Sequence, residues 1–207
     1  MSLDTRNPRI YLASRSPRRR ELLTQVGVRF DTIAFRGPPR EDSEIDETPL
    51  AGEAPVYYVQ RVAQAKAAHG WRIVGWRKLF PQPVLAADTT LEVDGEIIGK
   101  PADADDAFRI LRRLSGRTHR VLTAVAVACD GRLESALSVS EVRFGSLEAA
   151  VIRRYVESGE PMDKAGAYGI QGHGGLFVAH LSGSYTGVMG LPLFETGELL
   201  ARFGYPL

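Results

Sequence analysis

The sequence predicts a mixed α/β (α+β) fold, a sheet of parallel and antiparallel strands with flanking helices. Three observations lead there. Strand-length apolar runs alternate with amphipathic helical stretches. Asp94-Gly95 and Asp130-Gly131 each lie between two strand-like runs, the strongest short-range sign of antiparallel neighbours. The helical stretches also carry their own start and stop residues. The chain's 207 residues suffice for a core without metal or disulfide. No internal repeat or linker divides them, so 1–207 reads as a single domain.

In chain order, Arg9 to Ala13 is a short apolar strand. A helix follows, with Ser16 at its N-cap, Pro17 at its first position, Leu22 and Leu23 inward, and Gly27 past its end. Val28 to Phe35 reads as a second strand, and the polar, acidic, Pro- and Gly-marked residues 36–53 as a loop. Pro55 opens a helix to about His69, with Val59, Val62, Ala63 and Lys66 on one stripe, and His69 to Pro83 reads as a connection holding Trp71 and Trp76. Pro83 to Asp88 is a continuous apolar run, a buried strand with a carboxylate at its tip. Leu91–Val93 and Glu96–Ile98 form a hairpin, and Asp103 caps a helix ending at Gly116. Long strands over His119–Cys129 and Leu133–Phe144 are followed by a helix from Leu147 to Glu157 with Leu147, Val151, Tyr155 and Val156 inward. Gly159 to Gly175, with six glycines, is irregular; Leu176–Leu181 returns to strand, and Pro192 starts a last helix to about Phe203.

Composition excludes several functions. With 26 Lys+Arg against 25 Asp+Glu the net charge is +1, which argues against a nucleic-acid or membrane-surface binder. No stretch approaches the ~18 apolar residues of a membrane span, and no apolar core marks a signal peptide. Cys129, the single cysteine, has no internal partner and reads as a small core hydrophobe. Together these point to the cytoplasm. The four histidines, His69, His119, His173 and His180, have no paired metal-ligand spacing and read as surface or sheet residues.

Four groups of residues carry potential chemistry. Arg18, Arg19 and Arg20 crowd a helix N-terminus, where their charge opposes the macrodipole. With Ser14 and Ser16 they suit a phosphate, unless they form only a solvated first turn. Asp88, with Thr89 and Thr90 beside it, fits a metal ligand, a general base for water, or the cap of a turn. Lys66 on its apolar stripe and Lys100 after the hairpin either snorkel to water or aim at phosphate. Gly95 to Lys100 is not a P-loop, being one residue short and lacking the hydroxyl residue after the lysine. In the glycine-rich segment Gly166, Gly169 and Gly172 recur every third residue. They let backbone approach a ligand, with Lys164 for phosphate and Tyr168 or Gln171 for a base, or they form only a turn within the sheet. Acids, arginines, lysines and hydroxyls suit hard cations such as magnesium and phosphoanhydride chemistry.

These residues resemble the Maf proteins, nucleoside triphosphate pyrophosphatases once described as septum-formation inhibitors. The likeness lies in Leu12-Ala-Ser-Arg-Ser-Pro-Arg-Arg19, Ala87-Asp-Thr89, Gly99-Lys-Pro101, Leu114-Ser-Gly116 and Gly159-Glu-Pro-Met-Asp-Lys-Ala-Gly-Ala-Tyr-Gly-Ile-Gln-Gly172, in the family's order from about Ile10 to Leu200. The resemblance implies a strongly curved mixed sheet like that of inosine-triphosphate pyrophosphatases, a nucleotide cleft between two lobes, and a homodimer. It implies Asp88 as proton acceptor and Arg18, Thr89 and Gln171 as specificity positions. Ser14, Arg19, Lys66, Lys100 and Lys164 match the phosphate and nucleotide pocket, and Asp46-Glu47 resembles the family's acidic pair, which makes Asp88 and Glu47 the expected ligands of Mg²⁺ or Mn²⁺. The Lys164 to Gly172 loop is similar to the branch acting on dTTP and UTP, not its sister branch acting on 7-methyl-GTP. A non-catalytic nucleotide-binding regulator of cell division is the reading from another class.

Overall fold

The computed structural model of the chain describes residues 8–33 and 45–206. Its elements are β1 (Ile10–Leu12), α1 (Pro17–Gln25), β2 (Phe30–Thr32), α2 (Pro55–Trp76), β3 (Val84–Val93), β4 (Glu96–Ile98), α3 (Ala104–Leu114), β5 (Thr118–Cys129), β6 (Arg132–Phe144), α4 (Ala149–Glu157), β7 (Val178–Ser182), α5 (Tyr185–Met189) and α6 (Leu193–Arg202). Seven strands form one mixed sheet in the order β2-β1-β3-β5-β6-β7, with β4 paired to β3. β1 is parallel to β2 and β3; the other pairings are antiparallel, as the two Asp-Gly turns require. The predicted mixed α/β architecture is the one observed.

Three cores cover the sheet. Ala63 and Ala67 of α2 pack on Ala124, Ala126 and Ala128 of β5, a seam of small side chains that brings helix and sheet close. On the other face, Leu22 and Leu23 of α1 and Leu199 and Leu200 of α6 cover Leu85, Ala87, Val125 and Val127. Further along the same strands, Leu91, Val121 and Phe144 pack with α3, α4 and the glycine-rich segment. The long strands thus serve two lobes, and a cleft opens where these meet.

Several boundaries differ from the sequence reading. α2 does not stop near His69 but runs to Trp76, so Trp71 and Trp76 are helical. Within this helix Gly70 is a contact point: a Cβ there would lie 2.7 Å from Val84 Cγ1 and 3.1 Å from Ala13 Cβ. His69 is buried on this helix rather than lying on the surface or the sheet. β2 covers only Phe30–Thr32 of the expected Val28–Phe35, whose end lies outside the described residues, as does 36–44 of the expected loop. At α4 Ile152 and Tyr155 are buried and Leu147 and Val156 pack partly buried against the same core, while Val151 is exposed. Ser16 is the N-cap residue of α1, but its side chain makes no capping bond. α5 was not anticipated; Ser184 caps it through a bond from Gly187 N–H.

Candidate active site

The strand bearing Asp88 does not end there. β3 continues to Val93, and Asp88 is its fifth residue, 7% exposed. The expectation of a strand-tip acid fails along the strand, yet part of it survives across the sheet. β5 pairs with β3 from Val84 to Glu92, whereas on the opposite edge β1 reaches only Leu85 and β4 begins at Leu91. Between them lies a stretch without a strand partner, and Asp88 stands at its middle. The strand continues because both faces of β3 remain covered beyond the acid.

A cavity of about 820 Å³ opens at this gap. Lining it are Ser14, Arg18, Arg19, Glu47, Lys66, Asp88, Thr89, Lys100, Lys164 and Gln171, so the expected catalytic, phosphate and specificity residues come to one place, while Arg20 and Asp46 do not line it. Arg15, Asp163 and Tyr168 join them.

Strand alternation divides the work at Asp88-Thr89. Asp88 faces α2, where Lys66 Nζ donates to its Oδ1 at 2.8 Å and pairs with Glu47 Oε2 at 2.8 Å. Lys66 is thus held between two carboxylates, its side chain only 13% exposed. Asp46, the other half of the acidic pair, turns away and accepts from Thr48 N–H at 2.8 Å. Thr89 points to the opposite face, where its Oγ accepts from Arg19 Nη2 at 3.2 Å and lies 3.0 Å from Thr123 Oγ1. Arg19 also donates to Gly190 O at 2.7 Å and Ser14 Oγ at 3.3 Å. All these partners are neutral oxygens. Burial lowers the Arg19 pKa from its ordinary value, with the charge of Asp88 working against that shift.

The opposite wall is the glycine-rich segment, folded as short 3₁₀ turns at Glu160–Asp163, Ala165–Ala167 and His173–Phe177. Gly166 has φ +73°, and a Cβ there would lie 2.4 Å from Leu91 Cδ1, so only glycine fits. Its N–H donates to Gly99 O at 3.0 Å, tying the wall to the turn that carries Lys100. Lys100 is exposed and makes no ion pair among the described residues. Asp163 meets Arg18 Nη1 at 3.1 Å and Lys164 Nζ at 2.5 Å, a carboxylate shared by cations from both walls. Burial alone would raise the Asp163 pKa, but these two cations outweigh it and hold it below the usual range.

Two anchors of this wall had no local signal in the sequence. Glu160 accepts from Tyr155 O–H and from the His173 and Gly174 amides at 2.9–3.2 Å. Those bonds overcome the effect of burial and keep its pKa low. His119 Nε2 lies 2.9 Å from Tyr168 O–H inside a cage with Phe144, so it belongs to the sheet as expected but is deeply buried. Burial pushes its pKa down to about 4. Cys129 is half-buried at the end of β5. No helix among the described residues is long and apolar enough to cross a membrane.

Fold and site together define a class: a mixed α/β protein whose cleft sets a lysine-bridged carboxylate pair beside several further cations. Within that class the chain belongs to the Maf family, whose model, described as Maf-like protein, matches residues 9–203. It is 68% identical over 197 residues to the dTTP/UTP pyrophosphatase of Dechloromonas aromatica, covering 95% of this chain and 98% of that one. Identity to the protein of the same name from Aromatoleum aromaticum is 62% over 200 residues, 96% of this chain and 97% of the other. The solved structure of the Staphylococcus aureus Ham1 protein matches with a TM-score of 0.45 and 15% identity, over 66% of this chain and 71% of that chain.

Proposed function

We propose that this chain is a dTTP/UTP pyrophosphatase that adds water between the α and β phosphates, giving a nucleoside monophosphate and pyrophosphate. The observation that carries the reading is the convergence of Asp88, Lys66 and Glu47 at 2.8 Å in a cleft that also holds Arg18, Arg19, Lys100 and Lys164. Relatives named dTTP/UTP pyrophosphatase, 68% and 62% identical across nearly the whole chain, support the same activity.

In this mechanism Asp88 is the general base. Lys66 occupies Oδ1, while Oδ2 makes no hydrogen bond among the described residues and is left to take a proton from water. The water oxygen bonds to phosphorus as the α–β bridge breaks, and pyrophosphate departs with the bridging oxygen. Arg19 supplies a fixed positive charge with no carboxylate partner among the described residues, suited to charge that grows on the leaving phosphate. Arg18 and Lys164 exchange Asp163 for phosphate oxygens, and Lys100 joins from the hairpin. Gln171, exposed at the rim, offers a donor and an acceptor to the O4/N3 edge of a pyrimidine.

A divalent cation fits this donor set. Asp88 and Glu47 already converge on one cationic centre, and hard oxygen ligands of this kind suit Mg²⁺ or Mn²⁺. No group of three His, Cys, Asp or Glu side chains among the described residues forms a complete protein cage, so phosphate and water would supply the remaining oxygens. The cation would neutralise part of the triphosphate charge. A single unit over 1–207, a cytoplasmic setting and a homodimer belong to the same proposal.

The test incubates the purified chain with Mg²⁺ or Mn²⁺ and a nucleotide panel and measures pyrophosphate. Release from dTTP and UTP is expected. Release from 7-methyl-GTP alone would assign the chain to the sister activity, and none from any nucleotide would favour a binding regulator.

A further inference from the structure

Glu47 presents a problem of placement. It lies on an irregular segment with its side chain 53% exposed, yet its carboxylate is held 2.8 Å from Lys66 Nζ. One contact to a lysine in an open cleft does not offset the entropy of fixing such a segment, which is about 1–2 kcal/mol per residue. A second set of bonds does the fixing, and it centres on Arg61, outside the cavity and on a different face of α2.

The Arg61 guanidinium grips Glu53 with two bonds, Nε to Oε1 and Nη2 to Oε2, both at 2.7 Å. It also donates to the carbonyls on either side of Glu47, Nη2 to Thr48 O at 3.0 Å and Nη1 to Asp46 O at 3.4 Å. The Glu53 side chain is 7% exposed and in turn accepts from Leu50 N–H at 3.0 Å. Three residues before Arg61, Tyr58 donates its O–H to the carbonyl of Glu47 at 3.0 Å. The strap therefore begins at Asp46, ends at Glu53, and is fastened throughout to the helix that carries Lys66. The bidentate Arg–carboxylate geometry makes this a rigid fastening, not a loose surface pair.

We infer that Arg61, locked to Glu53, is a positioning residue that straps segment 46–53 to α2 and so holds Glu47 against Lys66 and Asp88. The inference deepens the proposed function and rests on it for the role of Glu47. It does not rest on it for the strap itself.

The test pairs kinetics with amide exchange in the full-length protein. Arg61→Ala should lower kcat for dTTP by about 10–100-fold, the usual cost of removing a group that orients a cation's ligand, with KM changed less than about threefold. Arg61→Lys, which keeps one bond to Glu53, should recover part of the rate. The double variant Arg61→Ala/Glu47→Gln should be no slower than Glu47→Gln alone, because Arg61 acts through Glu47. Hydrogen–deuterium exchange should accelerate at the Thr48, Leu50 and Glu53 amides of Arg61→Ala while the middle of α2 stays protected. Rate losses that multiply in the double variant, or exchange unchanged from wild type, would overturn the inference. Should the wild-type chain release no pyrophosphate from any nucleotide, the assigned activity fails. Exchange alone then decides, with acceleration in Arg61→Ala supporting the strap and wild-type protection overturning it.

Discussion

The two walls of the cleft present similar charges by different means. On one wall Arg19, Lys66 and Asp88 project from α1, α2 and β3, where strand alternation and helix packing fix their direction. On the other, Lys164 and Gln171 sit between 3₁₀ turns that pack on the third core, and the shape depends also on two polar anchors, Glu160 and His119. The difference teaches where rigidity is needed. The proposed function places chemistry at phosphorus on the wall whose geometry the sheet enforces, and recognition of the base on the wall built of short turns and tied by its polar anchors.

Breaking the first wall should have the largest effect. Lys66→Met removes the cation between Asp88 and Glu47 and leaves a carboxylate with 11% of its side chain exposed uncompensated. A loss of about 3 kcal/mol in urea unfolding is expected, together with a loss of pyrophosphate release. Unchanged stability would mean that the lysine contributes no net attraction.

The second wall should yield differently. Glu160→Gln keeps the side-chain shape but weakens the bonds to Tyr155, His173 and Gly174. KM for dTTP should rise about tenfold, the cost of about 1.4 kcal/mol from one charge-assisted bond, with kcat nearly kept. A kcat loss as large as that of a first-wall variant would erase the proposed division of labour.

The smallest effect at neutral pH belongs to His119, whose contribution is a pH dependence. Its pKa is about 4 in the folded chain and about 6.5 when unfolded. The unfolded state therefore binds the extra proton between those values. Stability from this group is complete above about pH 6.5, falls by about 3 kcal/mol as pH drops to about 4, and is flat below. His119→Gln, which keeps a donor for Tyr168, should remove that slope from urea unfolding measured across this range. A slope equal to that of wild type would assign it to other groups.

The first wall was also the more legible one. Ser16-Pro17 and Asp103 marked their helices, and the Asp-Gly pairs marked their hairpins, because each signal is local. Asp88 was found as a buried acid, but its place within β3 was not, since an open strand edge depends on where β1 and β4 end. The end of α2 beyond His69 was hidden for a related reason: Gly70 lies within the helix against Val84 of the sheet, a contact that no local pattern shows. Glu160, His119 and the Arg61–Glu53 pair act through partners whose sequence spacing follows no local period, so pattern reading had nothing to hold. The clustering of cations, by contrast, holds at Arg18, Arg19, Lys66, Lys100 and Lys164, though not at Arg20.

The central claim is that Asp88 is the base for water attack on a bound triphosphate. Steady-state hydrolysis of dTTP by Asp88→Asn tests it most directly, with pyrophosphate as the readout. The account predicts kcat lower by about a hundredfold or more with KM within about threefold of wild type, because the nucleotide is still held while proton removal is lost. Turnover near the wild-type rate would contradict it.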